Sequence, residues 1–447
     1  MDRRSRMESR SAWKLIFLCI LFSGILIGYT SIRLSIFPQV GHILMDVCIL
    51  LVMVTLVIFL LHHGILRGPH YALVHQSLCR SVCRTMLKNK IYVKYSLVWP
   101  QIPVLQNFKL SLSDDLSVGT LQIRREPSLD DKLDKIDLSS ALFDYVVEDR
   151  AIDQDGNWIY FYLIDAKEDV RLVFDSFQEF IKYYKRLPRG LFFKIDERTT
   201  IPLTHSLITG ITGKGKTYLL KTLLAVTWTW TMHPIFYFAD GKLSGLRKLG
   251  RAVGVSVETD IDAISRMLST VCDRMMYRYK ERDRRDELGE DGDAWLDLQP
   301  PLIMVIDEAA SYLSRVAALS AAERKVPLTR LSDIVRLGRE AKCYVWLIMQ
   351  TAKADVIPTD IRSNFGFRCV LGPDSDTGYQ TVFGSKEDIP DHVLLPDGAG
   401  YYTCDGQTIH PMPMRSPTLN FDLIAELKAA GIQFTDGAKA AGSAGGL

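Results

Sequence analysis

The sequence lacks the paired cysteines that build a structural zinc site. Its eight cysteines are scattered, and the only close pair, Cys79 with Cys83, has no second pair to complete four ligands. The other cysteines lie in apolar runs or in segments typical of a protein core. We therefore interpret all of them as ordinary thiols, which fits a reducing compartment.

The chain also has almost no excess of either charge. Its 54 Lys and Arg residues against 52 Asp and Glu residues leave a formal net charge of +2, so overall charge neither favours nor excludes a polyanionic partner. No repeat of fixed period stands out. With 447 residues, 47% of them hydrophobic, the chain can bury a sizeable core and hold two or three domains.

Two long apolar runs occur near the start of the chain. Residues 15–32 contain no charge and as a helix would measure about 27 Å, close to the hydrocarbon thickness of a bilayer. Residues 43–61 contain one charge, Asp46, near their start. Basic residues cluster before the first run and after the second, so the positive-inside rule places both ends in the cytoplasm. We predict a transmembrane helical hairpin; a cleaved signal peptide and two buried core helices are the alternatives.

One short segment has the pattern of a nucleotide-binding loop. Residues 210–217 read GITGKGKT, between the apolar run HSLIT and the helix-like stretch YLLKTLLAVTWTW. In a G-x-x-x-x-G-K-T loop the backbone amides surround polyphosphate oxygens, Lys216 reaches the outer phosphates and the Thr217 hydroxyl ligates Mg²⁺. A glycine-rich turn without a ligand is the alternative, but Lys216 at a helix start opposes the macrodipole unless an anion offsets it. The sequence therefore predicts binding of ATP or GTP by Gly210, Ile211, Thr212, Gly213, Lys214, Gly215, Lys216, Thr217 and Tyr218.

Two later segments supply side chains suited to hydrolysis. The apolar run LIMVI is followed by Asp307 and Glu308. At the carboxyl end of a strand, the first acid can hold Mg²⁺ and the second can polarise a water for attack on the γ-phosphate. A further run, CYVWLIM, precedes Gln350, whose amide suits contact with the γ-phosphate or the attacking water. The alternatives are an acid that caps a strand and a polar residue that closes one.

Two arginines near these segments are further candidates. Arg336 and Arg339, in IVRLGREAK, are predicted to lie on a helix or at its end. Either could be an arginine finger for a neighbouring subunit, and a solvated helix face is the alternative. We interpret His205, before the loop strand, as a packing residue.

The alternation of strands and helices predicts an α/β fold. A strand in PIFYFADGK ending at Asp240, a helix over 260–280 and the LIMVI strand argue for a parallel sheet with helices on both faces. Before them, residues 91–165 contain strand-like runs and a predicted helix in DDKLDKIDLSSALFDYV. This first part is typical of a small α/β module.

Taken in order, these motifs resemble the FtsK/SpoIIIE class of the HerA-like RecA-fold motors. The resemblance rests on PLTHSLITGITGKGKT, on FADGK where the family has DPK, on LIMVIDEAA, on VRLGREAKCYVWLIMQTAKADVIPTDIRSNFGFRCVLG and on LLPDGAGYYT. It covers roughly residues 131–403. It implies a RecA-like P-loop motor domain that hydrolyses ATP with Mg²⁺, normally as a homo-hexameric ring that pulls double-stranded DNA through its channel.

The resemblance also implies roles for single residues. It implies that Asp307 serves Mg²⁺, that Glu308 activates water and that Gln350 senses the γ-phosphate. The motif positions of Arg339, Arg362 and Asn364 lie near subunit boundaries or the nucleotide, which makes roles for them hypotheses.

Two positions depart from the family pattern. Lys214 replaces a small residue of the loop, and Gly241 replaces the proline of DPK. Neither change blocks phosphate binding, although the extra charge of Lys214 can alter nucleotide affinity.

The chromosome-segregating members have four spans, a long linker and a C-terminal winged helix, none of which this sequence shows. It looks more like the short two-span FtsK-like coupling proteins of Gram-positive conjugative elements, which deliver relaxase-bound DNA to a transfer channel. We therefore predict a DNA translocase of the bacterial cell membrane with a cytoplasmic motor domain and with relaxase and channel proteins as partners. The alternatives are a protein-secretion ATPase of the type VII kind, which normally carries tandem ATPase domains, and a chromosome or plasmid segregation translocase.

Two segments are candidates for facing DNA, single or double stranded. Residues 274–293 carry basic side chains, among them Arg282, Arg284 and Arg285, interleaved with tyrosines, which suits a phosphate backbone. A solvated helix end followed by an acidic loop is the alternative. The second candidate is a predicted loop near 313–327. In chain order the predicted segments are a basic N-terminus (1–14), two transmembrane helices (15–61), a basic juxtamembrane segment (62–90), a small α/β module (91–173), the ATPase domain (174–435) and a disordered tail (436–447).

Overall fold

The computed structural model describes residues 65–95, 102–134, 136, 138–242, 245–350, 357, 359–384, 389, 395–408 and 410–439, with scattered positions between 24 and 57. Within these residues no helix combines the length and the apolar character needed to cross a membrane. Of the two predicted spans, most of 15–32 and about half of 43–61 lie outside the described residues, as does the end of the chain from 440. From residue 65 the structure falls into two compact units, one up to Ala166 and one from Lys167 onward.

The first unit is a four-stranded antiparallel sheet with a long helix on one face. The strands lie in the order β3-β4-β6-β5, and buried residues of the helix, such as Leu78 and Met86, share one core with Leu121 and Phe161 of the sheet. Its elements are α1 (Pro69–Lys88), β1 (Tyr92–Tyr95), β2 (Ile102–Leu105), β3 (Phe108–Leu112), β4 (Val118–Arg124), α2 (Asp130–Asp134), α3 (Ser139–Leu142), β5 (Tyr145–Ile152) and β6 (Trp158–Asp165).

The helix predicted in DDKLDKIDLSSALFDYV is wrong as a single element. The segment forms two short helices, and its last residues open β5, which pairs along its length with β6. Tyr145, Val146 and Val147 are aromatic or β-branched and are buried. Such side chains favour a strand over a helix, so these residues join the sheet.

The second unit is built on a parallel sheet with the strand order of a RecA-like P-loop fold. Its five central strands lie in the order β15 (Phe367–Leu371), β10 (Ser206–Gly210), β14 (Cys343–Met349), β13 (Leu302–Asp307) and β11 (Ile235–Asp240). The first of these five along the chain, β10, therefore lies between the fifth and the fourth. β12 and β19 pair with β11 at one edge, and the antiparallel β16 and β17 extend the other. Every residue of β10, β13 and β14 is buried, as expected for strands covered on both faces. The predicted RecA-like fold is thereby confirmed.

The remaining elements follow the alternation predicted from the sequence. They are β7 (Val173–Phe174), α4 (Phe177–Arg186), β8 (Phe192–Lys194), β9 (Thr200–Pro202), β10 (Ser206–Gly210), α5 (Lys216–Thr227), β11 (Ile235–Asp240), α6 (Leu246–Val253), β12 (Val257–Glu258), α7 (Ile261–Glu287), α8 (Gly292–Asp297), β13 (Leu302–Asp307), α9 (Ala309–Ala317), α10 (Ala321–Leu337), β14 (Cys343–Met349), α11 (Thr359–Arg362), β15 (Phe367–Leu371), α12 (Asp376–Phe383), β16 (Ala399–Cys404), β17 (Met412–Arg415), β18 (Thr418–Leu419), α13 (Leu423–Ala429) and β19 (Thr435–Asp436).

The loop predicted near 313–327 is wrong, because α9 and α10 occupy almost all of it. Ser320 begins α10 with a capping box, in which its side chain accepts from the Glu323 N–H while the Glu323 carboxylate accepts from the Ser320 N–H. This cap satisfies two backbone donors at the helix start, so only three residues separate α9 from α10.

The basic run at 274–293 lies mainly on α7, whose end is held by ion pairs. The Glu281 carboxylate accepts from Arg284 at 2.6 Å and from Arg285 at 3.0 Å, and Arg285 also pairs with Glu290 at 2.7 Å. Because neighbouring acids already offset these arginines, the contacts favour the solvated helix end over a phosphate-binding surface.

Candidate functional site

The strands that carry the predicted site residues end at the same edge of the sheet. β10 ends at Gly210, β13 ends at Asp307, and β14 runs between them and is followed by Gln350. Since the strands are parallel, their carboxyl ends meet at one crevice, where ligands of open α/β sheets bind. The strand order therefore places Gln350 between the phosphate loop and the acidic pair.

Three glycines of the loop have positive φ angles, which other residues rarely adopt. Gly210, Gly213 and Gly215 have φ values of 142°, 86° and 93°. A Cβ on Gly210 would also lie 2.2 Å from the Leu371 carbonyl oxygen. The turn leads directly into α5, whose first residue is Lys216. The free N–H groups of that first turn face the loop and make it a site for an anion.

Lys216 lies folded over the loop. It is 8% exposed, and its ammonium donates to the Ile211 carbonyl at 3.0 Å. Burial lowers the pKa of Lys216, and the nearby Glu308 and Asp307 carboxylates act in the opposite direction. A buried lysine that has both a loop carbonyl and carboxylates nearby is well placed to take a phosphate oxygen as a partner.

The acidic pair is held in a defined geometry. Asp307 is 2% exposed, and its Oδ1 accepts from the Glu308 N–H at 3.1 Å. Glu308 has a left-handed backbone, with φ of 51°, a conformation that costs free energy in a non-glycine residue and clusters at functional sites. The Gln350 amide donates to Glu308 Oε1 at 3.0 Å, so the structure brings Gln350 and Glu308 into direct contact.

The residues of this site suit a Mg²⁺ ion that is also bound by the phosphates of a nucleotide. In the described part of the chain no three His, Cys, Asp or Glu side chains come together as a metal centre. Thr217, in the first turn of α5, and the buried Asp307 offer a hydroxyl and a carboxylate at the same edge of the sheet. Such a pair suits an ion that takes its other ligands from phosphate and water.

The turn at Gly241, directly after β11, contacts the backbone of the acidic pair, and the sequence did not assign it this role. The Gly241 N–H donates to the Asp307 carbonyl at 2.8 Å, and Arg315 donates to the Gly241 carbonyl at 3.1 Å. A Cβ on Gly241 would lie 2.6 Å from the Glu308 carbonyl oxygen. The family proline at this position would lack the N–H and collide with that carbonyl, so glycine suits this corner for two separate reasons.

We expect Gly241→Ala to lower the free energy of unfolding by about 1–3 kcal/mol and to slow ATP hydrolysis, because the added Cβ displaces the Glu308 backbone. Gly245→Ala is the matched control, since a Cβ there would meet the Thr217 methyl group at an ordinary 3.5 Å. Denaturant unfolding and steady-state turnover measure the two effects. Equal losses in both variants would contradict a special requirement at Gly241.

Two other predicted binding residues contact distant parts of the second unit. The Lys214 ammonium pairs with Asp397 at 2.9 Å, an exposed pair that contributes little to stability. The Tyr218 hydroxyl accepts from the Leu419 N–H and donates to the Leu419 carbonyl. These contacts tie the loop and the start of α5 to the end of the domain, which no sequence pattern indicates.

The structure does not bring Arg336 or Arg339 to this crevice. Arg336 lies in the last turn of α10 and Arg339 just before β14, at the amino end of a strand whose seven residues measure about 23 Å. Arg362 and Asn364 likewise precede β15. A role for these arginines in hydrolysis would therefore have to be exerted on a neighbouring subunit, and it stays a prediction.

His205 is predicted to make the protein less stable in acid. The side chain is 1% exposed, its Nδ1 accepts from the Val345 N–H at 3.1 Å, and burial, with a smaller effect of Arg339, lowers its pKa to about 3. An unfolded histidine titrates near pH 6.5, so between about pH 6 and pH 4 only the unfolded state binds this proton. In this range we expect the free energy of unfolding to fall by about 1.4 kcal/mol for each unit by which the pH is lowered. Denaturant titrations should show a shallower dependence for His205→Asn, and an unchanged slope would contradict the assignment.

Part of the chain is similar to known proteins. Residues 175–354 match the sequence model of the FtsK/SpoIIIE family. The FtsK domain-containing protein YdcQ of Bacillus subtilis (strain 168) is 33% identical over 187 residues, which are 41% of this chain and only 38% of the relative.

Two solved structures are similar at a lower level. The pCW3 conjugation coupling protein TcpA, in a monomer form with ATPγS, is 17% identical with a TM-score of 0.47, covering 73% of this chain and 94% of that one. The cytoplasmic domain of the type VII secretion ATPase EccC from Thermomonospora curvata is 18% identical with a TM-score of 0.39, covering 65% and 31%. Residues 175–354 therefore match an FtsK/SpoIIIE-type domain, and the phosphate loop, the acidic pair and Gln350 all lie within that match.

Proposed function

We propose that this protein is a membrane-anchored, ATP-driven DNA translocase that feeds DNA to a conjugative transfer channel. The observation that carries the proposal is the convergence of Lys216, Asp307, Glu308 and Gln350 at one edge of a RecA-like sheet, within an FtsK/SpoIIIE-family match. The apolar runs at 15–32 and 43–61 support the membrane anchor, and the resemblance to two-span coupling proteins supports the channel, the relaxase and a hexameric ring.

In the proposed reaction the Lys216 ammonium exchanges the Ile211 carbonyl for a phosphate oxygen of ATP. The loop amides hold the phosphates, and Thr217 and Asp307 would hold Mg²⁺, which supplies positive charge to the β- and γ-phosphates. Glu308 orients a water for in-line attack on the γ-phosphorus and accepts its proton, while the bond from the γ-phosphorus to the β–γ bridging oxygen breaks and ADP leaves.

Gln350 is placed to couple nucleotide occupancy to hydrolysis. Its amide contacts Glu308 at 3.0 Å, and the residue directly follows β14, the strand next to the loop strand. When a γ-phosphate accepts from this amide, Glu308 is released towards the water. Gln350 therefore acts as the γ-phosphate sensor in this proposal.

ATP hydrolysis with and without DNA tests the proposal. We expect long duplex or single-stranded DNA to stimulate turnover by the full chain, and Lys216→Ala to remove both basal and stimulated rates. Hydrolysis that responds to neither form of DNA would contradict translocation and would favour a protein substrate instead.

A further inference from the structure

The four-stranded sheet of the first unit has one face in the core and one face outside it. Along β6, Ile159 and Phe161 are at most 4% exposed and belong to the core that α1 covers. The alternate residues Trp158, Tyr160 and Tyr162 project from the opposite face, where Tyr162 is 38% exposed. We call these three residues the aromatic row. A solvated sheet face is normally polar, so three rings in a row on an inner strand are not explained by the core of this unit.

The spacing of the aromatic row suits nucleotide bases. The rings of Tyr160 and Tyr162 lie 6.4 Å apart and within 21° of parallel, and alternate residues of a strand repeat every 7 Å or so. One base can then lie on each ring if the nucleic acid strand is extended and its bases are unstacked. Aromatic rings on a sheet surface bind single strands in this way, because every base has a flat apolar face.

The charges beside the aromatic row are arranged on two sides. Lys109 of β3 and Arg124 of β4 lie on one side, with the Lys109 ammonium 5.1 Å from the centre of the Trp158 ring and Arg124 paired in register with that residue. On β4, Gln122 pairs in register with Lys109 on one side and with Tyr160, the middle residue of the aromatic row, on the other. Asp149 of β5 lies on the other side, opposite the last ring. A bound strand would therefore run its phosphates over β3 and β4 and its bases over the row.

We propose that the aromatic row, together with Lys109 and Arg124, binds single-stranded DNA. This rests on the proposed function in that DNA is the cargo, and it adds which strandedness the first unit takes. Duplex DNA keeps its bases stacked inside the helix, so it cannot offer their faces to the rings. Binding here requires no ATP hydrolysis, because the row belongs to a different unit from the phosphate loop.

Fluorescence anisotropy of a labelled oligodeoxythymidine, with the full chain and no nucleotide, tests this surface. Replacing Tyr160 and Tyr162 together with alanine should weaken binding at least about tenfold, because two stacking platforms are lost. Replacing both with phenylalanine should leave affinity unchanged, because the ring faces remain. Lys109→Ala should make the dependence of log affinity on log salt shallower by about 0.7. Tyr277→Ala, at a 62% exposed tyrosine of α7, is the matched control and should change nothing, because the ion pairs at the end of α7 favour a solvated helix end there.

Unchanged affinity in the alanine pair, or equal loss in the phenylalanine pair, would overturn the proposal. A change of oligomeric state with unaltered DNA affinity would show that the aromatic row is an interface between copies, which also overturns it. Thermal unfolding and basal ATP hydrolysis report whether the variants fold, and Tyr162→Ala alone serves if the pair does not. If duplex DNA still stimulates hydrolysis while the row proves inert, only this inference fails. If the alanine pair loses single-strand binding but no DNA stimulates hydrolysis, only the proposed function fails.

Discussion

Lys216→Ala is expected to lower ATP turnover by about a hundredfold to a thousandfold, which is the usual loss when one preorganised donor to a transition-state charge is removed. The Lys216 ammonium is buried against the Ile211 carbonyl and near both carboxylates of the site, and alanine offers nothing to a phosphate. We also expect weaker nucleotide binding, since the same lysine contacts the ground state. A coupled-enzyme assay and a fluorescent ATP analogue measure the two effects.

Lys214→Ala is the matched control for this prediction. It removes the same charge two residues earlier in the loop, where the side chain pairs with the exposed Asp397. We expect turnover to change by no more than about threefold, because exposed ion pairs are weak. A loss at Lys214 equal to that at Lys216 would show that the loop needs its total charge and not a particular ammonium group.

Glu308→Gln is expected to reduce kcat by about a hundredfold to ten-thousandfold, the range associated with loss of a general base. Glutamine keeps the size of the side chain and can still accept from the Gln350 amide, as Glu308 does at 3.0 Å. The variant should therefore fold normally and bind ATP as well as the parent protein. Single-turnover hydrolysis measures the chemical step, and equilibrium binding of ATP provides the comparison.

Gln350→Ala separates the two residues of this contact. If Gln350 acts through Glu308, its removal should lower kcat less than Glu308→Gln does, and the double variant should be no slower than Glu308→Gln alone. Additive losses would contradict coupling between the pair. Normal turnover in Glu308→Gln would exclude this carboxylate as the base.

The parts of the site that the sequence predicts are those in which local pattern and topology agree. Buried apolar runs end directly in GITGKGKT, in Asp307–Glu308 and before Gln350, and parallel strands bring such ends to one edge whatever lies between them. The RecA-like strand order was implied only by the family resemblance, because apolar runs alone do not determine which strands are neighbours. The structure adds the hydrogen bond between Gln350 and Glu308. The sequence predicts a role for each residue but not their contact.

Other features depend on contacts that no local pattern contains. Asp397 meets Lys214 across 183 residues of chain, and Gly241 is needed because of the Glu308 carbonyl, which directly follows β13. The single helix predicted over residues 130–146 is wrong because Tyr145 and the residues after it pair with β6 in a sheet. The sequence motif predicts Arg339 as a site residue. In the structure it precedes the amino end of β14, whereas the crevice lies at the carboxyl end. In each case a tertiary neighbour decides the outcome.

Movement along DNA is the central claim, and it can be measured without reference to any partner. A duplex carrying a labelled triplex-forming strand is incubated with the full chain, ATP and Mg²⁺, and release of the label is followed in time. We expect release that requires hydrolysable ATP and that is lost in Glu308→Gln, which retains nucleotide binding. DNA-stimulated hydrolysis without release of the third strand, or release that persists in Glu308→Gln, would contradict a DNA translocase driven by this site.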